Sequence, residues 1–257
     1  MRVIFDLPTD GPTNMARDEA LLMLVGQGVS LPTLRFYRWE SPTISLGYFQ
    51  KYADYAELPT PASELAVVRR QTGGGAILHD RELTYSIVLP LSHPLVAYGR
   101  CNYLYEHVHA AFAAILMRHG VPVQRGVIHN NGVTRDNGAA SHRGPFFCFE
   151  RHSRYDLLAG GKKLLGSAQR RTAEAVLQHG SLVLDCRYEQ WTCATVAHYA
   201  PTFNIDDHLP MLARAIFGNT STCESDMSKG STWTQAELDM AATLRNKYAS
   251  TEWTRAR

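Results

Sequence analysis

Three consecutive glycines, Gly73-Gly74-Gly75, lie between two segments that read as β-structure, Val67-Val68-Arg69-Arg70 before them and Ala76-Ile77-Leu78-His79 after. Glycine within a β region packs nothing and loses more chain entropy on folding than any other residue. A run of three is expected where backbone must come close to a ligand, and its N–H groups can then bind an oxyanion or a phosphate. A loose hairpin turn is the other reading. Arg69-Arg70 before the run and His79-Asp80 after it favour the ligand. The run lacks the Gly-Lys-Ser/Thr ending of a P-loop, and it does not open a helix as a Gly-x-Gly-x-x-Gly dinucleotide turn does.

The elements around this turn alternate. Residues 14–25 read as an amphipathic helix with Asn14 as N-cap and Asp18 and Glu19 in its early turns. Two strands are expected at 34–39 and 43–49, a short helix near 51–57, and a further strand at 83–89 stopped by Pro90. The spacing of Leu104, Val108, Ala111, Phe112, Ile115 and Leu116 predicts a long helix over 100–119. Residues 126–145, with four glycines and few apolar side chains, read as a long loop, a feature that is uncommon in compact domains and often functional. A hairpin is expected around Gly160-Gly161, between 155–158 and 163–169, then a strand at 176–184. Helices follow at 210–217 and 235–248, the second opened by a capping box, Thr234-x-x-Glu237. These elements predict an α/β or α+β fold with a mixed central β-sheet flanked by helices. Residues 1–217 read as a catalytic domain, and 218–257 as a linker and C-terminal helical extension of the same domain.

Composition narrows the function classes. The 257 residues are 45% apolar, enough for a real core. A formal net charge of +2 argues against nucleic-acid binding as the main task. No apolar run reaches the roughly 18 residues of a membrane span, and Asp6 comes too early for a signal peptide, so a cytoplasmic location is the expectation. Five cysteines, at 101, 148, 186, 193 and 223, have no close pairing and read as free thiols.

Cys148 ends the long loop, and Lys162-Lys163 then stands on a glycine turn ahead of the small-residue run Gly166-Ser167-Ala168. A thiolate can carry an acyl group as a thioester, and a nearby ammonium favours the thiolate. By itself, a cysteine beside Phe146, Phe147 and Phe149 also reads as a small core hydrophobe, and a lysine on such a turn as merely exposed. His79 can equally satisfy a turn and His179 a strand end, and neither has metal-ligand spacing to a partner.

Arg69-Arg70-x-Thr-Gly-Gly-Gly-Ala-x-x-His79-Asp80 resembles the signature of the lipoate/biotin protein ligase and octanoyltransferase family. In the same order, so do Asn14-Met-Ala-x-Asp-Glu-Ala-Leu-Leu, Leu34-Arg-Phe-Tyr-x-Trp, Gly161-Lys-Lys-Leu-Leu-Gly-Ser-Ala-Gln169 and Leu177-Gln-His-Gly-Ser-Leu182. The likeness spans roughly residues 1–210 and is closest to the Gram-positive-type, LipM-like octanoyltransferases. Three features point to that subgroup: Asp80-Arg-Glu-Leu-Thr-Tyr-Ser86, Gly-Ser-Ala-Gln after the lysine, and Cys148 fifteen positions before Lys163. Where the ligases carry an Asn-Asp pair for adenylate chemistry, this chain has Tyr155-Asp156.

The resemblance implies the biotin/lipoate protein ligase catalytic fold, which is class II synthetase-like. It implies an acyltransferase in protein lipoylation, with Cys148 as nucleophile and Lys163 as the residue that lowers the thiol pKa and steadies the oxyanion. Arg70, Gly73, Gly74, Gly75, His79, Gly166, Ser167, Ala168, His179 and Gly180 are the implied substrate-binding positions. The implied partners are octanoyl-acyl carrier protein as donor and, as acceptors, lipoyl domains of the glycine cleavage H protein or of 2-oxoacid dehydrogenase E2, with no nucleic acid and no membrane. No cofactor is expected; ATP and Mg belong to the alternative, an acyl-adenylate ligase. An amidotransferase moving octanoyl between lipoyl proteins is a second alternative.

Overall fold

The computed structural model describes residues 1–97, 101–126, 146–147, 153–188, 191–218 and 230–257. Cys148, nearly all of the 126–145 loop and residues 219–229 of the expected linker lie outside the described residues.

The strands are β1 (Arg2–Phe5), β2 (Thr33–Tyr37), β3 (Thr43–Leu46), β4 (Ala66–Arg69), β5 (Ile77–His79), β6 (Glu82–Pro90), β7 (Val123–Arg125), β8 (Leu157–Ala159), β9 (Lys162–Arg171) and β10 (Ala175–Val183). The helices are α1 (Gly11–Gly26), α2 (Tyr52–Ala56), α3 (Cys101–Arg118), α4 (Val196–Tyr199), α5 (Leu209–Phe217), α6 (Gln235–Ala249) and α7 (Thr251–Thr254). Seven strands form a mixed sheet in the order β1-β2-β6-β10-β9-β8-β7, and a second sheet has the order β4-β3-β5. The mixed sheet flanked by helices matches the fold class expected from the sequence.

β6 and β10 are the long inner strands, and eight of nine and all nine of their residues, respectively, are buried. On one face Tyr85, Ile87, Val176 and Leu182 pack with Leu104, Phe112 and Leu116 of α3 and Leu212 and Ile216 of α5. On the other, Val88, Ala175 and Leu177 pack against Leu21, Leu22 and Val25 of α1. Burying both faces of a strand leaves no room for strict polar alternation, so these strands are read from β-branched and apolar density.

Helix α1 begins earlier than the sequence suggested. Asp10, not Asn14, is the N-cap and accepts the N–H of Thr13 at 2.8 Å. Pro12 suits the first turn, where its missing N–H costs no helical bond. Asn14 is fully buried within the helix, and its side chain donates to the carbonyls of Thr9 and Arg38. β3, expected over 43–49, stops at Leu46, because Gly47 turns away from the sheet against the glycine turn.

The C-terminal helices are tied to the body of the fold. Glu237 closes the capping box of α6 and pairs with the buried Arg2 of β1. Tyr248 of α6, together with Leu244 and Trp253, packs against Met15, Tyr37, Trp39 and Val68. No described helix is long and apolar enough to cross a membrane.

Candidate active site

The glycine turn joins β4 to β5 and crosses the end of β3. Tyr48 donates its N–H to the Thr72 carbonyl at 2.8 Å, which holds the two loops together. A Cβ on Gly47 would stand 1.9 Å from the Gly74 carbonyl oxygen, and Gly74 itself has φ +94°. The two backbones can therefore meet only as glycines. The buried Arg70 guanidinium organises the turn from beneath. It donates to the carbonyls of Gly73 (2.7 Å), Gly75 (2.8 Å) and Ser45 (2.8 Å), and to the Thr72 hydroxyl at 3.1 Å.

Arg70, His79, Ala168, His179, Gly180 and Ser181 line one cavity of about 290 Å³ beneath this turn. His79, at the end of β5, has Nε2 2.8 Å from the Ser45 hydroxyl and stacks on Trp39 at 3.9 Å between centroids. Its Nδ1 lies 3.5 Å from Glu82. Burial lowers the His79 pKa and outweighs the Glu82 carboxylate, so the ring is neutral. His179, on β10, has Nδ1 3.0 Å from Asp18 Oδ2 and Nε2 2.7 Å from the Thr72 hydroxyl. The Asp18 carboxylate accepts the Nδ1–H, and the Nε2 edge meets the Thr72 hydroxyl. Burial alone would raise the Asp18 pKa, but the His179 hydrogen bond and the Arg35 cation, 2.9 Å away, hold it below the usual range. The turn is thus braced to α1 through Arg70, Thr72, His179 and Asp18.

Lys163 does not line this cavity; it stands at an irregularity in β9. Leu158 pairs with Lys163 but Leu157 pairs with Leu165, so Leu164 is an extra residue in the strand. Leu164 and Leu165 both bury in the α3-side core. Such a bulge re-aims the neighbouring side chain, and Lys163 turns to the face shared by Gly166 and Ala168. Its Nζ sits 2.8 Å from Asp156 Oδ2, with both residues buried. A Cβ on Gly166 would come within 3.1 Å of Lys163 Cδ and 3.4 Å of Asp156 Oδ1, so the glycine gives this ion pair its space. Gly166 pairs with Ser181, which lines the cavity. The turn that carries the lysine strand back, Gly160-Gly161, has φ +56° and +75°, as a two-residue type I′ hairpin requires.

Ser167 is not brought to this cavity. Strand alternation turns its hydroxyl to the opposite face, 2.7 Å from Tyr85 Oη and 2.7 Å from His109 Nε2. A Cβ on Gly180 would stand 2.1 Å from that hydroxyl. Cys148 lies outside the described residues, but the residues leading to it are anchored at the turn. Phe147 bridges to Ala76, directly after Gly75, and Ala76 donates its N–H to the Phe146 carbonyl at 3.0 Å.

Sequence reasoning did not assign Asp156 to Lys163, Asp18 to His179 or Gly47 to the turn. Opposite charges on the two arms of the Gly160-Gly161 hairpin, Asp156 four residues before it and Lys163 two after it, were the available signal for the first. The other two pairs are joined only by tertiary contact.

The two sheets that carry this turn, the lysine hairpin and the two histidines have the fold of a lipoate-protein ligase. The chain belongs to the lipoyl protein ligase A/B catalytic domain family, whose pattern matches residues 10–200. It is 46% identical over 178 residues to octanoyltransferase LipM of Moorella thermoacetica, covering 68% of this chain and 62% of that protein. It is 33% identical over 261 residues to octanoyltransferase LipM of Brevibacillus brevis, covering 93% of each. The chain thus spans about three fifths of the Moorella relative's length in the matched region. Protein Ta0514 of T. acidophilum, solved with bound lipoic acid, has the same fold, with a TM-score of 0.71 at 22% identity over 99% of this chain and 98% of that one.

Proposed function

We propose that this chain transfers an octanoyl group from the thioester of an acyl carrier protein to a lysine of a lipoyl domain, through an acyl thioester on Cys148. The observation that carries this reading is the buried Lys163 ammonium, fixed by Asp156 at Gly166, whose strand partner Ser181 lines the cavity, while Ala76, at the end of the glycine turn, pairs with Phe147 just before Cys148 in the sequence. The two LipM relatives named as octanoyltransferases support the choice of acyl group.

In this reading the acyl chain lies in the cavity under the glycine turn, which His79 and His179 help to line. The Cys148 thiolate attacks the donor carbonyl, the C–S bond to the carrier breaks, and the carrier thiolate leaves. Lys163 stabilises the thiolate and the oxyanion by its charge. The neutral ε-amine of the acceptor lysine then attacks the acyl-enzyme, loses a proton and releases the Cys148 thiolate. Thioester to amide is downhill, so the reaction needs no nucleotide.

Incubation with octanoyl-carrier protein, followed by intact mass, tests this directly. One octanoyl adduct is expected on the native chain and none on Cys148→Ala. An adduct that persists in the variant removes Cys148 as the nucleophile. A second arm with ATP and free octanoate decides against the reading if pyrophosphate is released.

A further inference from the structure

A second cavity, of about 530 Å³, lies past the end of β10, walled by Leu78, Phe147, Val183 and Trp191. Two cysteines line it, Cys186 and Cys193, both free and half-buried. The Cys186 thiol donates to the Tyr188 carbonyl at 3.3 Å, and Cys193 is the side chain that most affects its ionisation. The described residues between them belong to no helix or strand. The segment also meets the lysine strand, since Ala194, next to Cys193, donates its N–H to the Lys163 carbonyl at 2.9 Å.

The two thiols are not equivalent. Cys193 brings the Cys186 pKa down to about 6, against the effect of burial. The Cys186 contact and burial both push Cys193 up. A thiol that ionises near ambient pH combines thiolate population with nucleophilicity, and its protonated neighbour is placed to resolve the product.

We propose that Cys186 and Cys193 are a site of reversible oxidation by low-molecular-weight disulfides, with Cys186 as the attacking thiol and Cys193 as the resolving one. The Cys186 thiolate attacks one sulfur of the small disulfide, its S–S bond breaks, and a small thiolate leaves and is protonated. Cys193 then gives up its proton and attacks Cys186 Sγ, expelling the second small thiol. Two protein thiols are oxidised to one disulfide, and the small disulfide is reduced to two thiols. This site stands apart from the acyl-transfer reading and does not depend on it.

The test uses the full chain, reduced, freed of reductant and exposed to glutathione disulfide, then quenched with iodoacetamide and analysed by intact mass and peptide mapping. A Cys186–Cys193 cross-link with a mass loss of about 2 Da is expected, since two hydrogens leave. Cys193→Ser should stop at one glutathione adduct on Cys186, and Cys186→Ser should leave Cys193 modified at least about tenfold more slowly. In the unsubstituted chain, Cys186 alkylation against pH should have its midpoint near 6, a readout that needs no variant to fold. A cross-link from Cys148 to either thiol, mixed adducts that persist without a cross-link, or equal reactivity of Cys193 in Cys186→Ser overturns the proposal.

Discussion

Asp156 and Lys163 face each other across the Gly160-Gly161 hairpin, with Oδ2 and Nζ 2.8 Å apart and both side chains buried. A charge at that depth is tolerated only while its partner is present. Asp156→Asn keeps the shape and removes the countercharge. Breaking one side of a buried pair costs about 3–5 kcal/mol, and the lysine is then no longer held in place to steady an oxyanion. Octanoyl transfer should fall by at least about 100-fold, in line with loss of an oxyanion-stabilising group. Steady-state kinetics with a thermal melt checks both effects. Native activity with a lowered melting temperature would assign the pair to stability alone.

The two glycines beside the cavity should respond differently. In Gly47→Ala the new methyl would stand 1.9 Å from the Gly74 carbonyl oxygen, and the turn must move. In Gly73→Ala it meets only the Phe49 ring, at 3.9 Å. Gly47→Ala is expected to lose about 1–3 kcal/mol, as overpacked sites do, and most of its activity. Gly73→Ala should stay within about 0.5 kcal/mol of the native chain. Denaturant unfolding of both variants gives the comparison.

Arg69 predicts how strongly the last helix is coupled to the site. Its guanidinium donates to the carbonyls of Gly47 (2.9 Å) and Gln50 (2.7 Å) on one side and Thr254 (2.8 Å) on the other. Trp253 Nε1 returns a bond to the Arg69 carbonyl at 2.9 Å. A lysine ammonium cannot span both sets of acceptors. Arg69→Lys should lose about 2–3 kcal/mol, from two charge-assisted hydrogen bonds and the acceptors left buried. Calorimetry should show a melting temperature lower by roughly 4–12 °C, and hydrogen exchange should rise in α7 before the main sheet. An unchanged exchange pattern would detach α7 from the turn.

The parts of this architecture that were legible in the sequence are those fixed by neighbours along the chain. The apolar spacing of Leu104 to Leu116 marks α3, and Gly160-Gly161 marks the hairpin because both residues need positive φ. Between Asp10 and Asn14 the cap chemistry is nearly equal, and Pro12 in the first turn decides for Asp10. β1 left little signal, being four residues long and paired in parallel with Thr33–Phe36. The glycine turn was legible as a close approach, but Gly47, the residue it approaches, was not, since that contact exists only once β3 and β4 pair. The inward face of α3 read as wholly apolar, although it carries His109.

His109 makes the pH dependence of stability testable. Its Nδ1–H donates to the Tyr155 carbonyl at 2.5 Å, and its Nε2 accepts the Ser167 hydroxyl at 2.7 Å, so the neutral ring is the form that fits. Burial is the main cause that lowers its pKa from the ordinary 6.5 to about 4. Between those values the unfolded chain binds the proton and the folded chain does not, so stability rises with pH across this window. The contribution is complete above about pH 6.5 and is lost as pH falls through about 4, amounting to about 3 kcal/mol over the window. His109→Gln offers a donor and an acceptor without titrating. Its stability should therefore decline less than that of the native chain between pH 7 and pH 4, while the contribution from the buried His79, which has the same sign, remains in both proteins. Urea unfolding at half-unit pH steps measures the difference. Parallel curves for the two proteins would mean that His109 already carries its proton in the folded state, and the hydrogen-bond directions assigned from Ser167 to Tyr155 would be wrong.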